Sequence, residues 1–260
     1  MTIRLLALLA ASNVFAANPW ELLTQGAADQ NSTKRVLAIA ALGTIPTVQA
    51  ERLLEAALKD KDSIVRLSAV SALAERRSRA AIPALRRALD DDAAEVSFSA
   101  AKTLWEMGDH SGRYILAEVL AGERKQSAGF MKQQVKDAKL TMHSPKELAW
   151  IGAKEGAGFF FGPLGYGLGM VEGATKDTSA SARALSATLL AKDRNAMPDL
   201  EDALDDKSPL VRAAAAKALG GFNNRAAIKK LEGLLEDKHD AARYMAAASI
   251  LRIGRGVATP

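Results

Sequence analysis

An aspartate recurs along the chain with an arginine six residues after it, and that pairing constrains the fold more than any other feature. The aspartates are Asp29, Asp60, Asp91, Asp177, Asp206 and Asp237, at successive spacings of 31, 31, 86, 29 and 31 residues. Six residues after each stand Arg35, Arg66, Ser97, Arg183, Arg212 and Arg243, so the arginine is missing once. Two residues after each aspartate comes a capping position, filled by Asn31, Asp62, Ala93, Ser179, Ser208 and His239. Four of these six are good N-cap types. A leucine-like column follows at Leu42, Leu73, Leu104, Leu190, Leu219 and Ile250. A period near 30 residues marks a repeat architecture in which each unit is one supersecondary element.

Each unit reads as a helical hairpin. Its first helix starts at the cap and carries the arginine on its first turn. Its second helix carries leucines four apart: Leu54 and Leu58, Leu85 and Leu89, Leu116 and Leu120, Leu200 and Leu204, Leu231 and Leu235. That spacing keeps each pair on one face, against the partner helix. Pro83 and Pro198 stand near the starts of two second helices, where proline forfeits no hydrogen bond. Gly43, Gly108 and Gly220 are expected just beyond first helices, as helix stops. One hairpin cannot bury its apolar face alone, so neighbours must stack. The composition suits this packing, since aromatics are only 5% while alanine and leucine abound.

The unit running from Asp206-Lys207-Ser208-Pro209-Leu210-Val211-Arg212 through Ala213-Ala214-Ala215-Ala216-Lys217-Ala218-Leu219-Gly220 resembles a HEAT-like repeat of the phycobilisome-lyase type. The resemblance spans about residues 29–122 and 177–254, and the third unit departs from it at Ala93 and Ser97. It implies an all-α solenoid. It also implies that the loop aspartates and helix arginines link adjacent repeats, which makes Asp60 with Arg66 and Asp206 with Arg212 structural. The same role is then expected of Asp29, Arg35, Asp91, Asp177, Arg183, Asp237 and Arg243. One such architecture hosts many activities, so the resemblance speaks for fold and leaves function open.

The start of the chain reads as a secretory signal over residues 1–16. Arg4 supplies a positive charge, Leu5 to Ala11 an apolar run, and Val14-Phe15-Ala16 the small residues before a cleavage site. The alternative is a buried first helix over residues 4–16. Asn18-Pro19-Trp20-Glu21 then suits a helix start: a capping asparagine, a proline in the first turn and a capping-box glutamate. The expected organisation is therefore signal peptide 1–16, repeats 17–122, insert 123–176, repeats 177–254 and a tail 255–260. An exported protein without cysteine suits a periplasm or the cell exterior.

The insert interrupts the array. Residues 124–142 suggest an amphipathic helix, with Ala128, Met131, Val135, Ala138 and Met142 on one stripe and Lys125, Lys132, Lys136 and Lys139 on its flanks. Ser144-Pro145-Lys146-Glu147 starts a second, short helix. Gly156 to Val171 carries no charge and centres on Phe159, Phe160, Phe161 and Tyr166 among glycines. Its length and its proline argue against a membrane span, which needs about 20 apolar residues. No lysine and hydroxyl pair follows its glycines, so it is no phosphate loop. Ordering each backbone residue costs about 1–2 kcal/mol, and burying one phenylalanine returns about 1.5–3 kcal/mol. The segment must therefore dock on something: its own solenoid, a second copy, a partner or a membrane surface. The four aromatics, with Lys132, Lys136 and Lys139, are the candidate interaction residues.

The absence of cysteine excludes disulfides, thiolate metal sites and thiol nucleophiles. His110, His143 and His239 form no zinc motif. The acidic runs Asp90-Asp91-Asp92 and Asp205-Asp206 fall at repeat junctions and read as caps and turns. The sequence thus points to a scaffold that is not an enzyme and needs no cofactor or metal, binding a protein partner through the solenoid. The insert would mediate self-association or contact a membrane surface. Two alternatives stand: a lyase-like or base-excision-like enzyme, by analogy with HEAT-like families, and a nucleic-acid-binding solenoid. The net charge of +5 and the expectation of export argue against nucleic acid.

Overall fold

The computed structural model of the protein describes residues 18–121 and 178–254, and every regular element among them is helical. In chain order the helices are α1 (Pro19–Ala27), α2 (Ser32–Gly43), α3 (Val48–Ala57), α4 (Ser63–Arg76), α5 (Ile82–Arg87), α6 (Ala94–Glu106) and α7 (Arg113–Leu120). After the undescribed stretch come α8 (Thr178–Leu190), α9 (Met197–Asp202), α10 (Pro209–Gly221), α11 (Ala226–Gly233) and α12 (Asp240–Gly254). The fold is an all-α solenoid.

Local chemistry explains the elements. Asn31, Asp62 and Asn18 accept hydrogen bonds from backbone N–H groups two residues on, capping α2, α4 and α1. Pro83 and Pro198 lie in the first turns of α5 and α9, where a missing N–H costs nothing. The inner helices are apolar nearly all round: α10 buries Leu210 to Ala216 without a break. The outer α11 buries only Ala227 and Leu231. Three second helices tighten into 3-10 turns at Ala88–Asp90, Ala203–Asp205 and Leu234–Glu236, each delivering the chain to the next aspartate.

Two expectations need correction. Gly43 and Gly220 do not stop their helices but lie inside the last turns of α2 and α10. A Cβ on Gly43 would sit 2.8 Å from the Ala72 Cβ, and one on Gly220 would sit 2.6 Å from the Ser249 Oγ. These glycines permit close approach of neighbouring first helices. Of the three glycines, only Gly108, at φ +82°, follows its helix as a left-handed stop. Leu120 is not packed against its partner helix either; it is 90% exposed at the end of α7, in the last unit of the N-terminal run.

The spatial order of the units differs from their order in the chain. First helices stack in the sequence α8, α10, α12, α2, α4, α6, so the C-terminal units lie before the N-terminal ones in a single array. The joint is made by α12, which packs on both α1 and α2. Helix α1 occupies the second-helix place of the unit whose first helix is α12. Its Leu23 stands six residues before Asp29, as Leu54, Leu85, Leu200 and Leu231 stand before their own aspartates. All five leucines are fully buried. One hairpin of the array is therefore assembled from opposite ends of the described chain.

Candidate functional site

The repeat aspartates and arginines form a ladder running from unit to unit. Arg35 donates from Nε and Nη2 to both carboxylate oxygens of Asp60, at 2.8 and 2.7 Å. Arg66 does the same to Asp91 at 2.7 Å twice, Arg183 to Asp206 at 2.7 and 2.9 Å, and Arg212 to Asp237 at 2.6 and 2.9 Å. Nη1 of Arg35, Arg66 and Arg212 turns back to the carbonyl oxygen of the aspartate in its own unit. Thus Arg66 meets only the backbone of Asp60, and its carboxylate partner lies 25 residues on.

Each receiving carboxylate also accepts the N–H two residues ahead, from Asp62, Ala93, Ser208 and His239. One aspartate therefore fixes its own loop and ties the preceding unit. Burial pushes the carboxyls of Asp60, Asp91 and Asp237 up. The arginine and backbone hydrogen bonds outweigh it and hold all three below the usual carboxylate value.

Among the described residues the ladder has two breaks, and both follow from position. Ser97 replaces the arginine in α6, the last first helix of the stack among the described residues, and bonds the Ala94 carbonyl instead. At the joint between α12 and α2, Arg243 pairs with Asp240 of its own helix. Its Nε, which in the other units reaches the next aspartate, is buried without a partner. Asp29, the aspartate in the next position, binds Lys34 and the Asn31 N–H.

A second constellation lies where the C-terminal ends of four first helices converge. A cavity of about 430 Å3 opens between α10, α12, α2 and α4. That volume falls within the range of small-ligand sites. Lys217 of α10 and Arg252 of α12 face Glu75 and Arg76 of α4, with Glu51 of α3 and Ser78 completing the polar lining. Lys217 Nζ stands 3.7 Å from Glu75 Oε2, although α12 and α2 intervene in the stack, so the array curls tightly on this side. Arg76 donates to the carbonyls of Ile45 and Thr47 and to Glu51 at 3.3 Å. The Ser78 hydroxyl donates to the other Glu51 oxygen at 2.5 Å. Among the described residues Arg252 makes no side-chain hydrogen bond or ion pair.

Sequence reasoning missed this cluster. Its signal was a shared repeat position: Thr44, Glu75 and Arg252 each stand 15 residues after a repeat aspartate. The candidate interaction residues Phe159, Phe160, Phe161, Tyr166, Lys132, Lys136 and Lys139, with Asp177, lie outside the described residues. His110 stacks on Trp105 at 4.3 Å, and His239 contacts Arg212. Among the described residues no cluster of three acidic or histidine side chains could hold a metal. None of the described helices is long and apolar enough to cross a membrane.

Comparison with known proteins bears on fold and on catalysis. No curated protein matches the chain. Among solved structures, human deoxyhypusine hydroxylase in complex with glycerol is similar at 15% identity and a TM-score of 0.34, over 92% of this chain and 97% of that one. The complex of CpcE and CpcF of phycocyanin lyase from Nostoc sp. PCC7120 is similar at 20% identity and a TM-score of 0.35, over 95% and 100%. These neighbours overturn the expectation that the chain is not an enzyme, because both carry the names of enzymes. At such scores the likeness extends no further than helical-repeat architecture, and neither activity transfers. The family model described as HEAT repeats matches residues 20–105, 51–128 and 169–252, about three quarters of the sequence, and the chain belongs to the HEAT-repeat family.

Proposed function

We propose that the protein is an exported scaffold that binds a protein partner through the solenoid surface, with the insert 123–176 mediating assembly or contact with a membrane surface. One observation carries the reading. The units before and after the insert join in a single array, so both halves of the chain contribute to one curved, charged face. HEAT repeats bind partners on such extended faces. Export is supported by Arg4, the apolar run from Leu5 to Ala11 and the small residues ending at Ala16. The insert's role is supported by Lys132, Lys136 and Lys139, since each basic residue near an anionic bilayer adds about 1 kcal/mol. It is supported too by the clustering of Phe159, Phe160, Phe161 and Tyr166 in the glycine-rich sequence, read as contact residues.

A native pull-down with and without residues 123–176, combined with mass spectrometry of the N-terminus, tests the proposal. The expected result is a chain beginning near Ala17, a partner retained by the repeats, and assembly or liposome binding lost with the insert. An intact N-terminus on cytoplasmic protein, or a partner set unchanged by disrupting the solenoid, overturns it.

A further inference from the structure

We propose that the cavity between α10, α12, α2 and α4 is a binding site for a carboxylate, gripped by Arg252 and Lys217. Charge and hydrogen bonding carry the assignment. The lining holds three cations, Arg76, Lys217 and Arg252, and two anions, Glu51 and Glu75, leaving a net charge of 3 − 2 = +1. Glu51 is engaged on one oxygen by Arg76 and on the other by Ser78. Lys217 reaches Glu75 only at 3.7 Å, longer than a hydrogen bond, with both side chains about a third exposed. The surplus donors are therefore the Arg252 fork and the Lys217 ammonium. A planar guanidinium fork beside a point charge matches a carboxylate, with two parallel N–H···O bonds and one ammonium contact.

A single negative charge neutralises the site. A phosphate dianion would overshoot it and meet the Glu75 carboxylate, and a metal cation would face the unpaired guanidinium. Pro46 and Gly43 add apolar surface to the lining, which suits a carboxylate carried on an apolar body.

The carboxylate can come from a small monocarboxylic acid or from a glutamate side chain of a bound protein. In the second case the inference deepens the scaffold reading and rests on it. In the first it stands alone.

Calorimetric titration of the full chain tests it with benzoate, neutral benzamide, inorganic phosphate, and a blocked tripeptide carrying glutamate or glutamine. Benzoate or the glutamate peptide should bind saturably, at least about tenfold tighter than its neutral counterpart. Whichever binds more tightly identifies the source. Arg252→Gln should weaken binding about tenfold and Arg252→Lys less, because the charge survives while the fork is lost. Glu75→Gln removes the competing anion and should tighten binding, which serves as the independent variant should Arg252→Gln unfold. Arg225→Gln, at an exposed position off the cavity, should change nothing.

Circular dichroism melts establish that each variant is folded. Neutral probes binding as tightly as the acids overturn the proposal, as does phosphate binding more tightly than benzoate. Unchanged affinity in folded Arg252→Gln or Glu75→Gln also overturns it, as does the absence of saturable binding at millimolar concentration. Partner capture is a separate readout, so a failed pull-down with intact benzoate binding sinks the scaffold reading and leaves the site standing.

Discussion

Replacing Gly26 with alanine tests the joint between the two ends of the described chain, because the sign of the effect depends on whether that joint is closed. Gly26 lies in the last turn of α1, where alanine is the better helix former by about 1 kcal/mol. Were α1 a free helix on the surface, Gly26→Ala would stabilise the protein. In the structure an added Cβ falls 2.6 Å from the Tyr244 Cζ and 2.9 Å from its Cε1, on the neighbouring α12.

Real Cβ atoms do not approach so closely, and Tyr244 is 4% exposed, so its ring has little room to turn. Overpacking of this kind costs about 1–3 kcal/mol. After the propensity gain, the net loss should be about 0–2 kcal/mol. Gly221→Ala and Gly233→Ala, at helical positions with nothing within 4 Å of the new Cβ, supply the control and should be neutral to stabilising. Urea unfolding monitored by circular dichroism reads all three. Combining Gly26→Ala with Tyr244→Leu should recover much of the loss, as expected for residues in contact. A Gly26→Ala variant stabilised as much as the two controls would refute the composite hairpin.

Three further predictions concern charge. Arg212→Ala leaves the Asp237 carboxylate, 8% exposed, without its bidentate partner and should cost about 3–5 kcal/mol; Arg183→Ala, at 33% exposure, should cost about 1 kcal/mol or less in the same denaturation assay. Asp60, Asp91 and Asp237 have carboxyls held below the usual value, and Arg86 with Ser111 brings Asp109 to about 2. Depressed carboxyls stabilise the fold above their unfolded value, so stability should hold above about pH 4 and fall as pH drops towards 2. Burial raises the Tyr244 phenol to about 12, so only the unfolded chain ionises near pH 10. Stability should therefore decline as pH rises from 10 to 12, and Tyr244→Phe should flatten that decline in melts across the range.

The repeat was legible in the sequence because its causes are local. A cap two residues after each aspartate, a leucine six residues before it and a proline in a second helix's first turn each act within one hairpin. Asn31 and Asp62 cap as their residue type requires, and Leu54, Leu85, Leu200 and Leu231 are buried at their spacing. Gly43 and Gly220 were misread because a glycine near a helix end looks the same whether it ends the helix or admits a neighbour. Only Ala72 and Ser249, 29 residues away in each case, decide between the two.

What the sequence could not hold was the order of the units. Periodicity shows that every hairpin has an apolar face to cover, but each face is much like the next and none names its neighbour. Tertiary packing put α12 against α1 and α2, made one hairpin from opposite ends of the described chain, and so brought Arg252 and Lys217 to Glu75 and Arg76. The sequence by itself determined the unit and its period, since one turn, one cap and one apolar stripe specify a hairpin. The order of stacking, the break in the ladder at Arg243 and the charged cavity were decided only by the tertiary structure, because each depends on contacts between residues far apart in the chain.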